Sequence, residues 1–207
     1  LIDEVLKYFD FEKNIEITLE ANPDDLDKNF LKDLAKTEIN RLSIGTQSFF
    51  EEDLKLMNRA HNASEAESSI KRAQDFGFEN LSIDLIYGSP TSNFEIWKQN
   101  LQKTIELQVP HVSSYALTIE PKTALNAWIK KNKISKPEES TQNKEFYYLS
   151  DFLKDNGFLH YEISNFAKKD FESKHNSAYW KYKEYLGIGP SAHSYNGRNE
   201  RSWNVAN

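Results

Sequence analysis

Three polar side chains that could do chemistry recur at matching places in the sequence. Glu20, Gln47 and Asp84 each stand near the end of a short stretch in which apolar and polar residues alternate, as in a β-strand. A carboxylate buried in such a strand costs free energy unless it is paired or ligated. Each residue alone is explained by an ordinary buried hydrogen bond. The three together favour a site for a polar organic ligand, because carboxylates accept and amides both donate and accept.

Two further interpretations concern the same residues. Arg59 lies in the polar segment 58–62 between two predicted helices, where it is either a surface arginine or a partner for an anionic group of the same ligand. Glu20 and Asp84 could also serve as the acid and base of an unrelated barrel enzyme.

The histidines do not form a metal motif. There are five of them: His61, His111, His160, His175 and His193. Their spacing matches no zinc pattern. Tyr179 and Trp180 follow His175 by about one helical turn, which indicates either an aromatic-lined pocket or an aromatic cluster that closes one end of the fold.

Composition narrows the function classes. The 207 residues carry a net charge of −6, without the basic run that nucleic-acid binding needs. We find no apolar run of membrane-spanning length and no signal peptide, so we expect membrane association to be peripheral at most. The sequence has no cysteine, which excludes disulfides, a cysteine nucleophile and thiolate-held clusters within this chain. A cytoplasmic location fits this composition.

The periodicity predicts alternating strands and helices. Predicted strands cover residues 15–20, 41–48, 81–87, 111–120 and about 159–164. Predicted helices cover 1–9, 22–34 with Asn22 as N-cap, 49–56, 64–76, 94–107, 123–131 and 138–156. Repeated strand–helix units indicate an α/β protein with a parallel sheet, either open and doubly wound or part of a barrel.

Polar residues on one face of these strands favour the barrel. Glu16, Thr18 and Glu20 lie on the same side of the first strand, and Ser82 and Asp84 on the same side of the third. Such a face suits a ligand-bearing lumen better than a dry sheet covered by helices on both sides. The strand ends at which ligands bind in parallel α/β folds would then bring the three polar side chains together.

Eight ordered motifs resemble one family. They are LEANP (19–23), RLSIGTQSF (41–49), NRAHN (58–62), IDLIYGSP (83–90), SYALTIEPKT (114–123), YEISNFA (161–167), HNSAYW (175–180) and YLGIGPSAHS (185–194). The chain resembles the radical S-adenosylmethionine (SAM) proteins of the oxygen-independent coproporphyrinogen III oxidase family. HNSAYW and YEISNFA favour its HemW-type branch, regarded as heme chaperones.

The resemblance implies a fold and a set of ligands. The family fold is a partial (βα)6 TIM-like barrel, which this chain would enter after the first two strands. We expect residues 1–158 to form the partial barrel, and 159–207 its last strand and the start of the C-terminal region. By resemblance, SAM binds at Glu20, Gln47, Arg59 and Asp84. Heme binds near the HNxxYW residues, here His175, Asn176, Tyr179 and Trp180.

One family element is missing. The family holds a [4Fe–4S] cluster through an upstream CxxxCxxC motif, and this chain has no cysteine. We therefore expect these residues alone to be inactive, with no metal ligand among them. The implied function is heme binding and delivery, with an electron donor and a heme acceptor protein as partners. The alternative is radical decarboxylation of porphyrinogen propionates in porphyrin biosynthesis.

Overall fold

The computed structural model of the protein describes residues 2–206. Its helices are α1 (Ile2–Leu6), α2 (Lys28–Leu34), α3 (Glu51–Leu56), α4 (Ala63–Asp75), α5 (Phe94–Glu106), α6 (Ala124–Lys130), α7 (Glu139–Asp155) and α8 (Lys174–Trp180). Its strands are β1 (Thr18–Ala21), β2 (Arg41–Gln47), β3 (Leu81–Tyr87), β4 (His111–Ala116), β5 (Leu159–His160), β6 (Asn165–Ala167), β7 (His193–Tyr195) and β8 (Arg201–Trp203).

The first six strands form one mostly parallel sheet. Its spatial order is β1-β2-β3-β4-β6-β5, and β7 pairs with β8 in a separate hairpin. Each pair from β1 to β4 is parallel, while β6 runs antiparallel to both β4 and β5. The predicted α/β class with a parallel sheet is confirmed, and its helices connect the parallel strands as βαβ units require.

The core lies between this sheet and its helices. Alternate strand residues such as Leu42, Ile44, Ile83 and Val112 are fully buried there. Trp97 of α5 is the largest of the fully buried side chains, at 2% exposed. Its indole N–H donates to the Glu145 carbonyl oxygen at 3.0 Å, so the ring is buried without leaving a polar group unpaired.

Side-chain caps fix where the helices begin. Asp27 accepts two backbone N–H groups at the start of α2, and Asn62 forms a capping box with Glu65 at the start of α4. Asn22 is the N-cap of a short 3-10 helix, Pro23–Asp25, with Pro23 in its first turn as predicted. The predicted continuous helix 22–34 was wrong, because Asp27 supplies a second cap that opens α2 at Lys28.

The last strand of the main sheet differs from the prediction. Residues 159–164 were expected to form one more barrel strand, but β5 and β6 form a tight antiparallel hairpin around residues 161–164. Leu159 and Ile163, which made the alternating pattern, are 50% and 64% exposed. The core side chain is instead Phe166, on which the His160 ring stacks at 4.1 Å between centroids.

Two predicted strands are shorter than expected. β1 begins at Thr18 rather than at residue 15, and β4 ends at Ala116 rather than at residue 120. The segment before β1 is held largely by the Asn40 side chain, since the Ile17 N–H donates to Asn40 Oδ1 at 3.0 Å and Asn40 Nδ2 donates to the Ile15 carbonyl oxygen at 2.8 Å. After β4, the Leu117 carbonyl oxygen accepts from the Gln142 side chain at 3.2 Å.

The chain divides into two compact units, residues 1–171 and 172–207. The first contains α1 to α7 and the six-stranded sheet, and the second contains α8 and the β7–β8 hairpin. The division of the family's domains between residues 158 and 159 stays a prediction. Across residues 2–206, no helix has both the length and the apolar character needed to cross a membrane.

Candidate functional site

Asp84 lies on the polar face of the sheet, opposite the helices. In the strand register its neighbour on β4 is Ser113, and Ser43 of β2 is paired with Ser82 of β3. The Ser113 and Ser43 hydroxyls lie close enough to the Asp84 carboxylate to lower its pKa. Glu20, on β1, is the register partner of Ser43. The sheet therefore brings the two predicted carboxylates onto one face.

Burial dominates the electrostatics of Asp84. It raises the pKa of the Asp84 carboxyl to about 6, and the negative charge of Glu20 acts in the same direction. The two serine hydroxyls and the Arg41 guanidinium oppose the rise without cancelling it. A carboxyl with this pKa gains and loses its proton near neutral pH. A cationic or hydroxyl-bearing ligand would therefore stabilise its ionised form.

The raised pKa predicts a stability effect with a definite sign. Because the folded pKa of about 6 exceeds the unfolded value of 3.8, Asp84 favours folding below pH 3.8 and loses that contribution as the pH rises through 6. We expect Asp84→Asn to raise the free energy of unfolding at pH 7 by about 1–3 kcal/mol. Urea unfolding at pH 7 and pH 4 measures it, and a gain of equal size at both values would contradict it.

Gln47, Arg59 and Asn22 meet around Gly45. The Arg59 Nη2 donates to Asn22 Oδ1 at 2.5 Å and to the Gly45 carbonyl oxygen at 3.4 Å. A β-carbon on Gly45 would lie 3.1 Å from Gln47 Nε2 and 3.2 Å from Arg59 Nη2. The absence of a side chain at Gly45 thus lets one cation and two amides pack directly against the strand backbone, and we call this group the Arg59 cradle; its cation suits an anionic group.

An irregularity at the end of β2 sets the direction of the Gln47 side chain. The register between β2 and β3 shifts between Ile44 and Gln47, and Gln47 itself has a φ of 64°. Such a bulge re-aims a side chain at the end of a strand. A left-handed backbone is uncommon for a residue with a side chain, and it is often found at binding sites.

A cavity opens beside this cradle. Its volume is about 640 Å³, within the range of small-molecule sites, roughly 300–1,000 Å³. Gln47 and Arg59 form part of its wall, and Ile86, Leu117 and Trp128 give it apolar surface. Two of the four predicted SAM residues therefore line a cavity of suitable size.

Several polar residues around the site were not singled out from the sequence. Buried His111 bonds to Ser82 Oγ through Nδ1 at 2.6 Å and to the Tyr161 hydroxyl through Nε2 at 2.7 Å. Burial lowers the pKa of His111 to about 3, so the ring is neutral at physiological pH. The only sequence signal for it was its position on the polar face of a strand.

Buried His61 supports the end of β2. Its Nε2 lies 3.1 Å from the Thr46 carbonyl oxygen, next to Gln47, and its Nδ1 lies 3.8 Å from Asp24. Burial is the main cause that lowers the pKa of His61. The ring therefore holds the backbone next to Gln47 through its contact with the Thr46 carbonyl oxygen.

The predicted heme residues lie in the second unit, on α8. The His175 and Tyr179 rings meet edge to face at 4.9 Å, and Tyr179 meets Tyr185 in the same way at 4.8 Å. Ser173 caps the helix by accepting the Asn176 N–H at 3.2 Å. Tyr179 is 43% exposed and Trp180 is 53% exposed. The structure thus brings His175 and Tyr179 into contact on an accessible aromatic surface.

Comparisons with known proteins identify the family of the chain. Residues 1–103 match the Radical SAM superfamily model. The heme chaperone HemW of Lactococcus lactis is 39% identical over 94% of this chain and 52% of its own length. The mouse mitochondrial radical S-adenosyl methionine domain-containing protein 1 is 38% identical over 86% of this chain and 40% of its own.

A solved structure shows the same fold. The coproporphyrinogen III oxidase HemN of Escherichia coli, described as a radical SAM enzyme, superimposes with a TM-score of 0.77 at 25% identity. The match covers 95% of this chain and 48% of that one. The chain spans about half the length of the relatives it matches. It belongs to the radical SAM superfamily, in the group that contains the HemW and HemN proteins.

Proposed function

We propose that this chain forms the SAM-binding rim of a heme-binding chaperone of the HemW type. One observation carries the proposal. Glu20 of β1 and Asp84, in the middle of β3, lie on one face of the parallel sheet, and the end of β2 holds Gln47 beside the Arg59 cradle. The similarity to proteins named heme chaperone HemW supports the choice of function.

The chemistry of these residues fits SAM. SAM carries an ammonium, a sulfonium, a carboxylate and ribose hydroxyls. Arg59, which packs against Gly45, would pair with the carboxylate. Glu20 and Asp84 would accept hydrogen bonds from the ammonium or the ribose hydroxyls, and Gln47 can both donate and accept. Together these groups would bind and orient the ligand.

The same residues do not fit an iron–sulfur cluster. The sequence has no cysteine, and no group of three or more His, Asp or Glu side chains within residues 2–206 could hold a metal ion. Radical SAM proteins as a family use SAM with a [4Fe–4S] cluster. The role that we propose for Glu20, Gln47, Arg59 and Asp84 is therefore limited to binding and orienting SAM.

Heme binding is proposed for the aromatic surface of α8. His175 can offer an imidazole nitrogen to iron, and Tyr179 and Trp180 present exposed rings to a planar ligand. Asn176 adds an amide on the same helix. We further propose a cytoplasmic protein with an electron donor and a heme acceptor as partners, and no nucleic-acid ligand.

We expect His175→Ala to weaken heme uptake without unfolding the protein, because the side chain packs at the surface of the second unit. Heme titration followed by absorbance measures the affinity, and circular dichroism checks the fold. His193→Ala is the matched control, since His193 is exposed in the same unit and lies beside Trp203, at 6.1 Å between ring centroids. An unchanged heme titration for His175→Ala would remove this residue from the site.

The HemN likeness favours a second candidate function, radical oxidation of coproporphyrinogen propionates. An anaerobic assay of the full-length protein with SAM, a reductant and coproporphyrinogen separates the two. Formation of protoporphyrinogen would contradict the chaperone proposal. Turnover of another substrate without iron would favour acid–base chemistry by Glu20 and Asp84 instead.

A further inference from the structure

A buried carboxylate joins the turn after β2 to the turn after β3. Asp53, on α3, is only 3% exposed. Its Oδ2 accepts from the Ser48 hydroxyl at 3.0 Å, and its Oδ1 accepts from the Thr91 hydroxyl at 2.9 Å. Thr91 is bonded in turn to Ser89 Oγ at 2.9 Å. The two oxygens of one side chain thus span the two turns.

A second buried carboxylate holds the turn after β3 from the other side. Glu145 of α7 is 2% exposed, and its Oε2 accepts the Gly88 N–H at 2.6 Å. Gly88 has a φ of 77°, and a β-carbon there would lie 2.5 Å from the Gln142 side chain. Glycine at this position therefore lets α7 approach the turn closely enough for this bond.

The two carboxylates are close enough to influence each other. Burial raises the pKa of Glu145, and the negative charge of Asp53 adds to that rise. Burying two acids near each other costs free energy that apolar side chains would not cost. What the pair provides in return is a fixed geometry, because a fully bonded buried network has a single arrangement.

The network lies directly behind the proposed SAM site. Ser48 follows Gln47 in the chain, and Gly88 comes four residues after Asp84. Asn100 ties the first turn to α5 as well, since its Oδ1 accepts the Phe49 N–H at 2.7 Å. Gln47 is paired with Leu85 of β3, so the spacing between Gln47 and Asp84 is set by the strand pairing together with the two turns just beyond it that Asp53 connects.

We propose that Asp53 and Glu145 are positioning residues for the rim site. Their bonds to Ser48, Thr91 and Gly88 hold the ends of β2 and β3 at the separation that lets Gln47 and Asp84 contact one SAM molecule. Neither carboxylate touches the ligand. This role rests on the proposed function of the rim.

The first test uses hydrogen exchange without SAM. Thr91→Val removes the hydroxyl that Asp53 accepts from and keeps the shape, whereas Thr91→Ser keeps the hydroxyl. We expect amide exchange at Gly88 and Ser92 to become about tenfold faster in Thr91→Val, since one buried bond to a carboxylate is lost, and to stay unchanged in Thr91→Ser. Unchanged exchange in Thr91→Val would overturn the positioning role of Asp53. Thr91 is replaced because removing the buried Asp53 itself risks unfolding the protein.

The second test links the network to the ligand. Thr91→Val should lower SAM affinity about tenfold, and Thr91→Ser should restore it. In a Gln47→Ala, Asp84→Ala background the same substitution should change affinity little, because the residues through which it acts are gone. The same loss in both backgrounds would overturn the role. Absence of SAM binding by the unaltered protein overturns the proposed function, and this role with it. If the unaltered protein binds SAM and Thr91→Val binds it with the same affinity, only the positioning role is overturned.

Discussion

Replacing Asp84 with alanine should lower SAM affinity about tenfold to a hundredfold, the loss expected when a charged hydrogen-bond acceptor is removed from a buried site. The carboxylate lies on the polar face of the sheet, where nearby Ser43 and Ser113 lower its pKa and the charge of Glu20 raises it. Calorimetric titration of SAM into the wild type and the variant measures the change.

Asp33→Ala is the matched control for this substitution. Asp33 is an exposed carboxylate of α2 whose ionic partner, Lys36 at 2.7 Å, is also exposed. Its removal should leave SAM affinity unchanged, because Asp33 is not one of the proposed SAM residues. An exposed ion pair of this kind also contributes little to the stability of the fold. Equal affinity of Asp84→Ala and wild type would count against the assignment of Asp84.

The largest expected loss of stability comes from Trp97→Ala. The side chain is 2% exposed, it packs against Tyr87 at 5.9 Å between ring centroids, and its indole N–H bonds to α7. Its removal leaves a large cavity, which should cost about 3–5 kcal/mol of the free energy of unfolding. Urea denaturation measures the difference.

Two comparisons make the Trp97 result specific. Trp97→Phe keeps most of the ring but loses the donor, so it should cost less than Trp97→Ala. Tyr147→Ala, on the other side of α7, removes a ring that is 68% exposed and should cost under about 0.5 kcal/mol. A loss for Trp97→Ala as small as that for Tyr147→Ala would contradict this description of the core.

The central strands were predictable because they have an apolar face. β2 and β3 were expected at 41–48 and 81–87, and the structure has Arg41–Gln47 and Leu81–Tyr87. Helices bury one face of each strand, so the sequence alternates with a period of two. The same rule failed at 159–164, where a polar turn interrupts an alternating pattern that is largely exposed.

The members of the proposed site come from the sequence, whereas the contacts between them come from the structure. The rule that ligands bind at the ends of parallel strands is enough to single out Glu20, Gln47 and Asp84 in the sequence. The contact between Gln47 and Arg59 depends on a register shift and on the left-handed backbone of Gln47, neither of which the sequence pattern predicts. Asp53 reads as an ordinary acidic residue in the first turn of a helix, and only tertiary packing buries it.

The central claim is that SAM binds at the rim formed by Glu20, Gln47, Arg59 and Asp84. Backbone amide shifts in an NMR titration of the isotope-labelled protein with SAM test it most directly. We expect saturable shifts concentrated at the ends of β1, β2 and β3 and in segment 58–62. No shift at high SAM concentration, or shifts confined to residues 172–206, would contradict the claim.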